Sequence, residues 1–228
     1  MAAPAQPVNE PAALDSFIAK WRARWPEWPV AEVFVPAGQR EVVAAWFALL
    51  QELTDAAWGG EDPTPGIAKL AWWQEELLGW SLRRRRHPLG VALQRRDAPW
   101  QGLASALPAL REMRTLPRDA ASALVALRVF AEAAAAVEQA LLAAPGDPAG
   151  ADEIAATLLA THPRWPAGAT DAGQAAVDLN ANWPSRRGLL PRRIIAAVAR
   201  ARLGSGVPAL SPLPPWRTLW FAWRAARH

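Results

Sequence analysis

The chain of 228 residues has no cysteine and no tyrosine, and it has only two lysines, Lys20 and Lys69, against 23 arginines. Without thiols, neither disulfides nor thiolate-bound metals can form. The formal net charge is only +4, and the high isoelectric point follows because few groups titrate near pH 10. The charge balance therefore does not indicate a nucleic-acid-binding protein.

We also expect no signal peptide in the sequence. Its start, MAAPAQPVNEP, has neither the basic nor the apolar region of a signal peptide. No window of about 18 uninterrupted apolar residues occurs, so we expect no simple transmembrane helix. We predict a cytoplasmic protein with a mobile tail over residues 1–10 and a single helical domain over residues 11–228.

Apolar residues recur at helical spacing along most of the chain, and no long stretch alternates with the period of a strand. The prediction is therefore an all-α fold. An extended segment is expected only at Val33-Phe34-Val35. The predicted helices begin at Asn9, with Pro11 in the first turn, and then cover Gln39–Trp58, Ile67–Leu82, Trp100–Arg114, Asp119–Ala144, Asp152–Thr161, residues 172–179, Leu189–Leu203 and Trp216–His228.

Of the predicted helices, the one within Gly66–Gln94 has apolar residues around the largest part of its circumference. A helical wheel of Ile67–Leu82 gives one broad apolar arc and places Lys69, Glu75 and Glu76 on the other side. Gln74 falls inside the arc, where a buried amide needs a hydrogen-bond partner. We therefore predict a central helix that is buried over more than half of its circumference, with Gln74 pointing inward. The arc consists of Ile67, Leu70, Ala71, Trp73, Leu77, Leu78, Trp80 and Leu82.

The run Lys69–Leu77, KLAWWQEEL, followed by His87-Pro88-Leu89, resembles the second conserved block of the squalene/phytoene synthase family. The resemblance extends over about residues 34–142, and Gln74 stands where the family commonly has arginine. It implies a helical bundle of the isoprenoid synthase type, shortened toward the C-terminus.

Synthases of this family join two prenyl diphosphates and hold Mg²⁺ with two Asp-x-x-x-Asp motifs on facing helices. At the first motif the resemblance places Thr54 and Trp58, with Glu52 and Asp55 as the acids nearby. At the second, within residues 176–191, only Asp178 remains. The resemblance thus implies neither a catalytic residue nor a metal ligand, and no cofactor is expected unless the chain is an enzyme after all.

The pair Glu52-Leu53 resembles the variant found in a branch of the family that assembles respiratory complex I. By analogy, the first hypothesis is a non-catalytic protein that binds a lipid-like ligand or a protein partner in a scaffold or assembly role. The candidate cavity-lining residues are Gln51, Glu52, Asp55, Trp73 and Gln74. One alternative is a prenyltransferase that uses Glu52, Asp55 and Asp178 with Mg²⁺, and another is a purely structural helical adaptor.

The C-terminal helix is amphipathic and basic. Its large apolar residues lie at i, i+3, i+4 and i+7, which suits either a membrane surface or the core of the bundle. Docking onto the bundle is the expectation here; the alternative is peripheral contact with the inner face of a membrane through Trp216, Trp220, Trp223 and Arg224. The basic run Arg83–Arg86 is interpreted as a solvated turn that complements the helix dipole, and no nucleic-acid partner is expected.

Overall fold

The computed structural model describes residues 10–115, 117, 119–144, 150–165, 172–185, 187–204 and 212–227, and these residues form helices and no strand. The all-α prediction is confirmed. Of the predicted tail, residues 1–9 lie outside the described residues, and Glu10 already belongs to the first helix. The helices are α1 Glu10–Arg24, α2 Trp28–Ala31, α3 Arg40–Trp58, α4 Thr64–Ser81, α5 Gly90–Leu93, α6 Trp100–Glu112, α7 Ala120–Leu141, α8 Ala151–Ala160, α9 Ala172–Ala181, α10 Leu190–Leu203 and α11 Pro215–Ala226.

Local sequence signals explain where several helices begin and end. Asp119 caps α7, because its carboxylate accepts a hydrogen bond from the backbone N–H of Ser122 at 2.8 Å. At the end of α3, the N–H of Gly59 donates to the carbonyl of Asp55. Near the start of α4, any side chain on Gly66 would collide with the carbonyl oxygen of Ala56, so glycine permits α4 to approach α3 closely.

The central helix is α3 and not α4 as predicted. In α3, 15 of 19 residues are buried, because α1, α4, α5 and α6 all pack against it. The predicted stripe of α3 is buried as expected, namely Val42, Val43, Trp46, Phe47, Leu50, Leu53 and Ala57. Alanine and leucine dominate this helix, and both favour helix formation while filling an apolar core.

The prediction for α4 is wrong in two respects. Its buried stripe is narrow and contains Leu70, Trp73, Glu76, Leu77 and Trp80. Ile67, Leu78 and Leu82 are exposed, and so is Gln74. The reason is that α4 packs against α3 and α6 on one side only, and Gln74 lies about 100° around the helix from the buried Trp73.

The connection between α1 and α3 also differs from the prediction. Val33 and Phe34 belong to a 3₁₀ turn that continues α2, and only Val35 has an extended backbone. The N–H of Val35 closes this turn by donating to the carbonyl of Glu32. A short helix after Pro26 therefore replaces the expected extended segment.

Two buried ion pairs anchor α10 at both ends. Arg192, near the start of α10, binds Glu138 of α7, and the same carboxylate accepts a hydrogen bond from the indole N–H of Trp46 at 2.7 Å. Arg202, near the end of α10, binds Glu27 next to α2. Because Glu27 also accepts the N–H of Leu213 at 2.8 Å, this pair fixes the entry into α11.

Helix α7 departs from the expectation that no helix could span a membrane. By length and composition, Ala120–Leu141 is apolar enough to do so, and 44% of its most apolar window is buried inside the structure. The core helix of a helical bundle meets the same criterion, and α7 packs against α6 and α8. Its exposed side carries an ion pair between Arg128 and Glu132 at 2.8 Å.

We predict that Glu138→Gln lowers the free energy of unfolding by about 3–5 kcal/mol, because it leaves the buried guanidinium of Arg192 without a counter-charge. The matched control is Glu132→Gln on the same helix, whose exposed pair contributes about 0.5 kcal/mol or less. Urea unfolding at pH 7 measures both values. Equal losses in the two variants would show that burial does not distinguish the two pairs.

Candidate functional site

The acids that the sequence singles out meet the only two lysines of the chain. The carboxylate of Glu52 on α3 is almost fully buried and binds Lys20 of α1 through one oxygen and Lys69 of α4 through the other, the latter at 2.7 Å. Both lysine side chains are about half exposed. Glu52 therefore connects α1, α3 and α4, and its carboxylate forms ion pairs with two cationic side chains of the same chain.

The charge state of Glu52 follows from these contacts. Burial by itself raises the pKa of the Glu52 carboxyl, but the hydrogen bonds and positive charges of Lys20 and Lys69 outweigh burial and leave the pKa below its ordinary value. Glu52 is therefore an anion at neutral pH. Its two oxygens are satisfied within the chain.

Asp55 and the two positions matched to the family's first motif also have partners within the chain. Asp55 is partly buried and binds Arg24 of α1 at 2.6 Å. Thr54 donates its hydroxyl to the carbonyl of Gln51 at 2.9 Å, and the buried Trp58 donates its indole N–H to the carbonyl of Leu110 at 2.9 Å. Asp55 also lies 3.6 Å from the ammonium group of Lys20, so Glu52 and Asp55 converge on a cation of the chain itself.

These residues do not fit Mg²⁺. The ion prefers several oxygen ligands in a tight octahedron, whereas the oxygens of Glu52 and Asp55 face Lys20, Lys69 and Arg24. Among the described residues, no group of three His, Cys, Asp or Glu side chains is placed to hold a metal ion. Asp178 is exposed on α9.

The other candidate cavity residues divide into core and surface. Gln51 and Trp73 are buried, with Trp73 fully enclosed, whereas Gln74 faces solvent. The prediction that Gln74 occupies internal space is therefore wrong. Trp73 packs against the ring of His87 at 4.5 Å, and His87 also contacts Phe17 of α1 at 4.4 Å.

Glu76 is the residue that the helical wheel assigned to the wrong side. Its buried carboxylate accepts hydrogen bonds from the backbone N–H groups of Arg86 and His87, from the indole of Trp80 and from the guanidinium of Arg86, at 2.7–3.0 Å. Burial raises the pKa of the Glu76 carboxyl, but these donors outweigh burial and lower it. The predicted solvated basic turn is thus fixed to α4 at Arg86. A glutamate seven residues before a basic run was the available signal.

The C-terminal helix docks with the face opposite to the predicted one. Its buried residues are the small Thr218, Ala222 and Ala225, which pack against α10 and α2. Trp216, Trp220 and Trp223 are 71%, 46% and 42% exposed, and Leu219 is also exposed. The expectation that the tryptophan stripe docks as core is therefore wrong.

Arginines accompany the exposed tryptophans of α11. The guanidinium of Arg224 lies 5.4 Å from the ring centroid of Trp220, and that of Arg227 lies 4.4 Å from Trp223. Such cation–π contacts hold a positive charge against the apolar ring. We call Trp216, Leu219, Trp220 and Trp223 with these two arginines the tryptophan face.

The comparisons with known proteins place this chain in no family: no family model, no curated protein and no solved structure matches it. The resemblance to squalene/phytoene synthases therefore rests on the residues quoted above.

The two lysines were missed as site residues, although their rarity in an arginine-rich chain was visible. Lys20 and Lys69 lie 32 and 17 residues from Glu52, so no local motif links them. Lys20 lies on α1 one turn before Arg24. Lys20 and Arg24 together face the acids Glu52 and Asp55 of α3. Rarity was the only signal in the sequence.

We predict that the stability cost of His87→Asn is larger at pH 7.5 than at pH 4.5. Burial lowers the pKa of His87 to about 4, against the opposing charges of Glu52 and Glu76. Between that value and the ordinary pKa of about 6.5, the unfolded chain takes up a proton that the folded chain does not. The native state therefore loses stability as the pH is lowered from about 6.5 to about 4.

The asparagine variant lacks this proton uptake. The difference in the free energy of unfolding between the two proteins therefore becomes smaller as the pH is lowered. Urea unfolding of both proteins at the two pH values measures it. A difference that stays constant or grows toward pH 4.5 would show that the fold does not lower the pKa of His87.

Proposed function

We propose that this chain is a non-catalytic, squalene/phytoene synthase-like helical protein that works as a membrane-associated scaffold. It binds an anionic lipid surface through the tryptophan face of α11. The observation that carries the proposal is the outward orientation of Trp216, Trp220 and Trp223 on a helix whose opposite face is anchored.

Tryptophan and arginine on one helix suit the boundary between lipid headgroups and acyl chains. The indole rings enter the boundary region, and long basic side chains reach the phosphates. Arg224 and Arg227 already lie over two of the rings, so a lipid surface can contact ring and charge together. Zwitterionic lipid has no net negative charge to attract the arginines, and for this reason we propose anionic lipid.

The non-catalytic part of the proposal is supported by Glu52. In a Mg²⁺-diphosphate site a carboxylate at this place would face the metal, whereas Glu52 is neutralised by Lys20 and Lys69. Displacing two ammonium groups from a buried carboxylate would be costly, because each removed partner leaves a buried charge less well compensated.

The runner-up is a prenyltransferase that uses Glu52, Asp55 and Asp178. It is favoured only by the resemblance, and it requires Mg²⁺-dependent release of diphosphate from farnesyl or geranylgeranyl diphosphate. Such release, abolished by Glu52→Gln, would replace our proposal. A purely structural adaptor would show neither this activity nor lipid binding.

The direct test is co-sedimentation of the full chain with phosphatidylcholine vesicles, with and without phosphatidylglycerol. We expect binding to the anionic vesicles that salt weakens. Trp220→Ala with Trp223→Ala should reduce it at least tenfold. Arg227→Gln should reduce it about fivefold, since one basic residue near the surface contributes about 1 kcal/mol.

The matched control is Val125→Ala with Val129→Ala, which removes two exposed apolar side chains from α7 and should leave vesicle binding unchanged. Circular dichroism checks that each variant remains folded. A folded intact chain that stays in the supernatant with anionic vesicles would refute the proposal, and equal loss in both double variants would show that α11 is not the contact.

A further inference from the structure

A cleft of about 430 Å³ lies beside α11 and borders the tryptophan face, with which it shares Arg224. Helix α10 and the end of α9 form its other walls. Four arginines and two aromatic residues dominate its lining: Arg193, Arg200, Arg217, Arg224, Trp183 and Phe221.

The arginines are placed by helical spacing. Arg193 and Arg200 are seven residues apart on α10, and Arg217 and Arg224 are seven apart on α11. Seven residues make nearly two turns, so each pair lies on one side of its helix. Because α10 and α11 pack against each other, the two pairs meet across the cleft.

Two of these arginines have no acidic partner within the described part of the chain. Among the described residues, no carboxylate lies within ion-pair distance of Arg193 or Arg217, and the enclosed Nε–H of Arg193 has no acceptor. Arg200 donates to the side chain and carbonyl of Asn180 at 2.8 and 2.9 Å. Arg224 lies over Trp220.

The one acidic residue in the lining is Glu153 of α8. Its buried carboxylate accepts the backbone N–H of Gly188 at 2.7 Å. Burial raises the pKa of Glu153 above its ordinary value, although Gly188 and nearby arginines oppose the shift. The described lining thus holds one carboxylate against four guanidinium groups, and the cleft is positive.

We propose that this cleft binds an organic phosphate, with the phosphate at Arg193 and Arg217 and the organic part against Trp183 and Phe221. Guanidinium groups match phosphate oxygens with paired N–H donors. The volume falls within the range of small-molecule sites, about 300–1,000 Å³, and exceeds what phosphate alone requires. Two aromatic rings in the lining provide the apolar contact.

The phosphate can come from a lipid headgroup or from a soluble molecule. Since the cleft borders the tryptophan face at Arg224, a headgroup could reach the arginines from a bound membrane. Titration calorimetry of the full chain with inorganic phosphate, glycerol 3-phosphate and dihexanoyl phosphatidic acid below its micellar concentration distinguishes the two sources.

We expect saturable binding of glycerol 3-phosphate, weaker binding of inorganic phosphate, and at least tenfold loss in Arg193→Gln and in Arg217→Gln. Tighter binding of the phosphatidic acid than of glycerol 3-phosphate assigns the site to a headgroup, and equal binding assigns it to a soluble phosphate. Glu153→Gln should strengthen phosphate binding, because it removes the opposing carboxylate while it keeps an acceptor for Gly188.

The matched control is Arg128→Gln, which removes an exposed arginine of α7 and should leave phosphate binding unchanged. Absence of saturable binding by all three ligands would overturn the proposal, as would an equal loss in Arg128→Gln. Arg193 lies on α10 and not on the tryptophan face, so Arg193→Gln should still bind anionic vesicles; the cleft and the membrane contact can therefore fail separately.

Discussion

The two buried ion pairs of α10 are the constraint on which the C-terminal half of the structure depends. Arg192 binds Glu138 of α7, and Arg202 binds Glu27, more than 170 residues earlier in the chain. A buried guanidinium without its carboxylate is strongly unfavourable, so each pair allows little freedom in the position of α10. Since Glu27 also accepts the N–H of Leu213, the same constraint orients α11 toward α2 and α10.

This orientation determines which face of α11 remains free. Small side chains pack on α10, the large aromatic residues point outward, and the arginines of both helices line the cleft between them. The N-terminal half of the chain uses the same kind of interaction, since Lys20 and Lys69 neutralise Glu52. The charged groups inside the bundle thus fix helices, whereas Arg193 and Arg217 line the cleft with no carboxylate of the described residues within ion-pair distance.

Periodicity predicted the helices and the all-α fold well, because α3, α6 and α7 each have a clear apolar stripe. Periodicity failed for α4, because the packing of neighbouring helices decides which of its faces is buried. Gln74 and Leu78 are exposed there, whereas Glu76 is buried. It failed again on α11, because close packing selects the small face of Thr218 and Ala222 over the more apolar one. Pairs such as Lys20 with Glu52 join distant residues, and no local pattern shows them.

The central claim is that the tryptophan face of α11 enters a lipid surface, and quenching by brominated phospholipids measures this most directly. The full chain is added to anionic vesicles whose lipids carry bromine in the acyl chains near the headgroup, and tryptophan fluorescence is compared with unbrominated vesicles. The account predicts quenching that disappears when Trp216, Trp220 and Trp223 are replaced by phenylalanine, since the remaining tryptophans lie outside the contact. Quenching that persists in this variant, or no quenching in the intact chain, would contradict it.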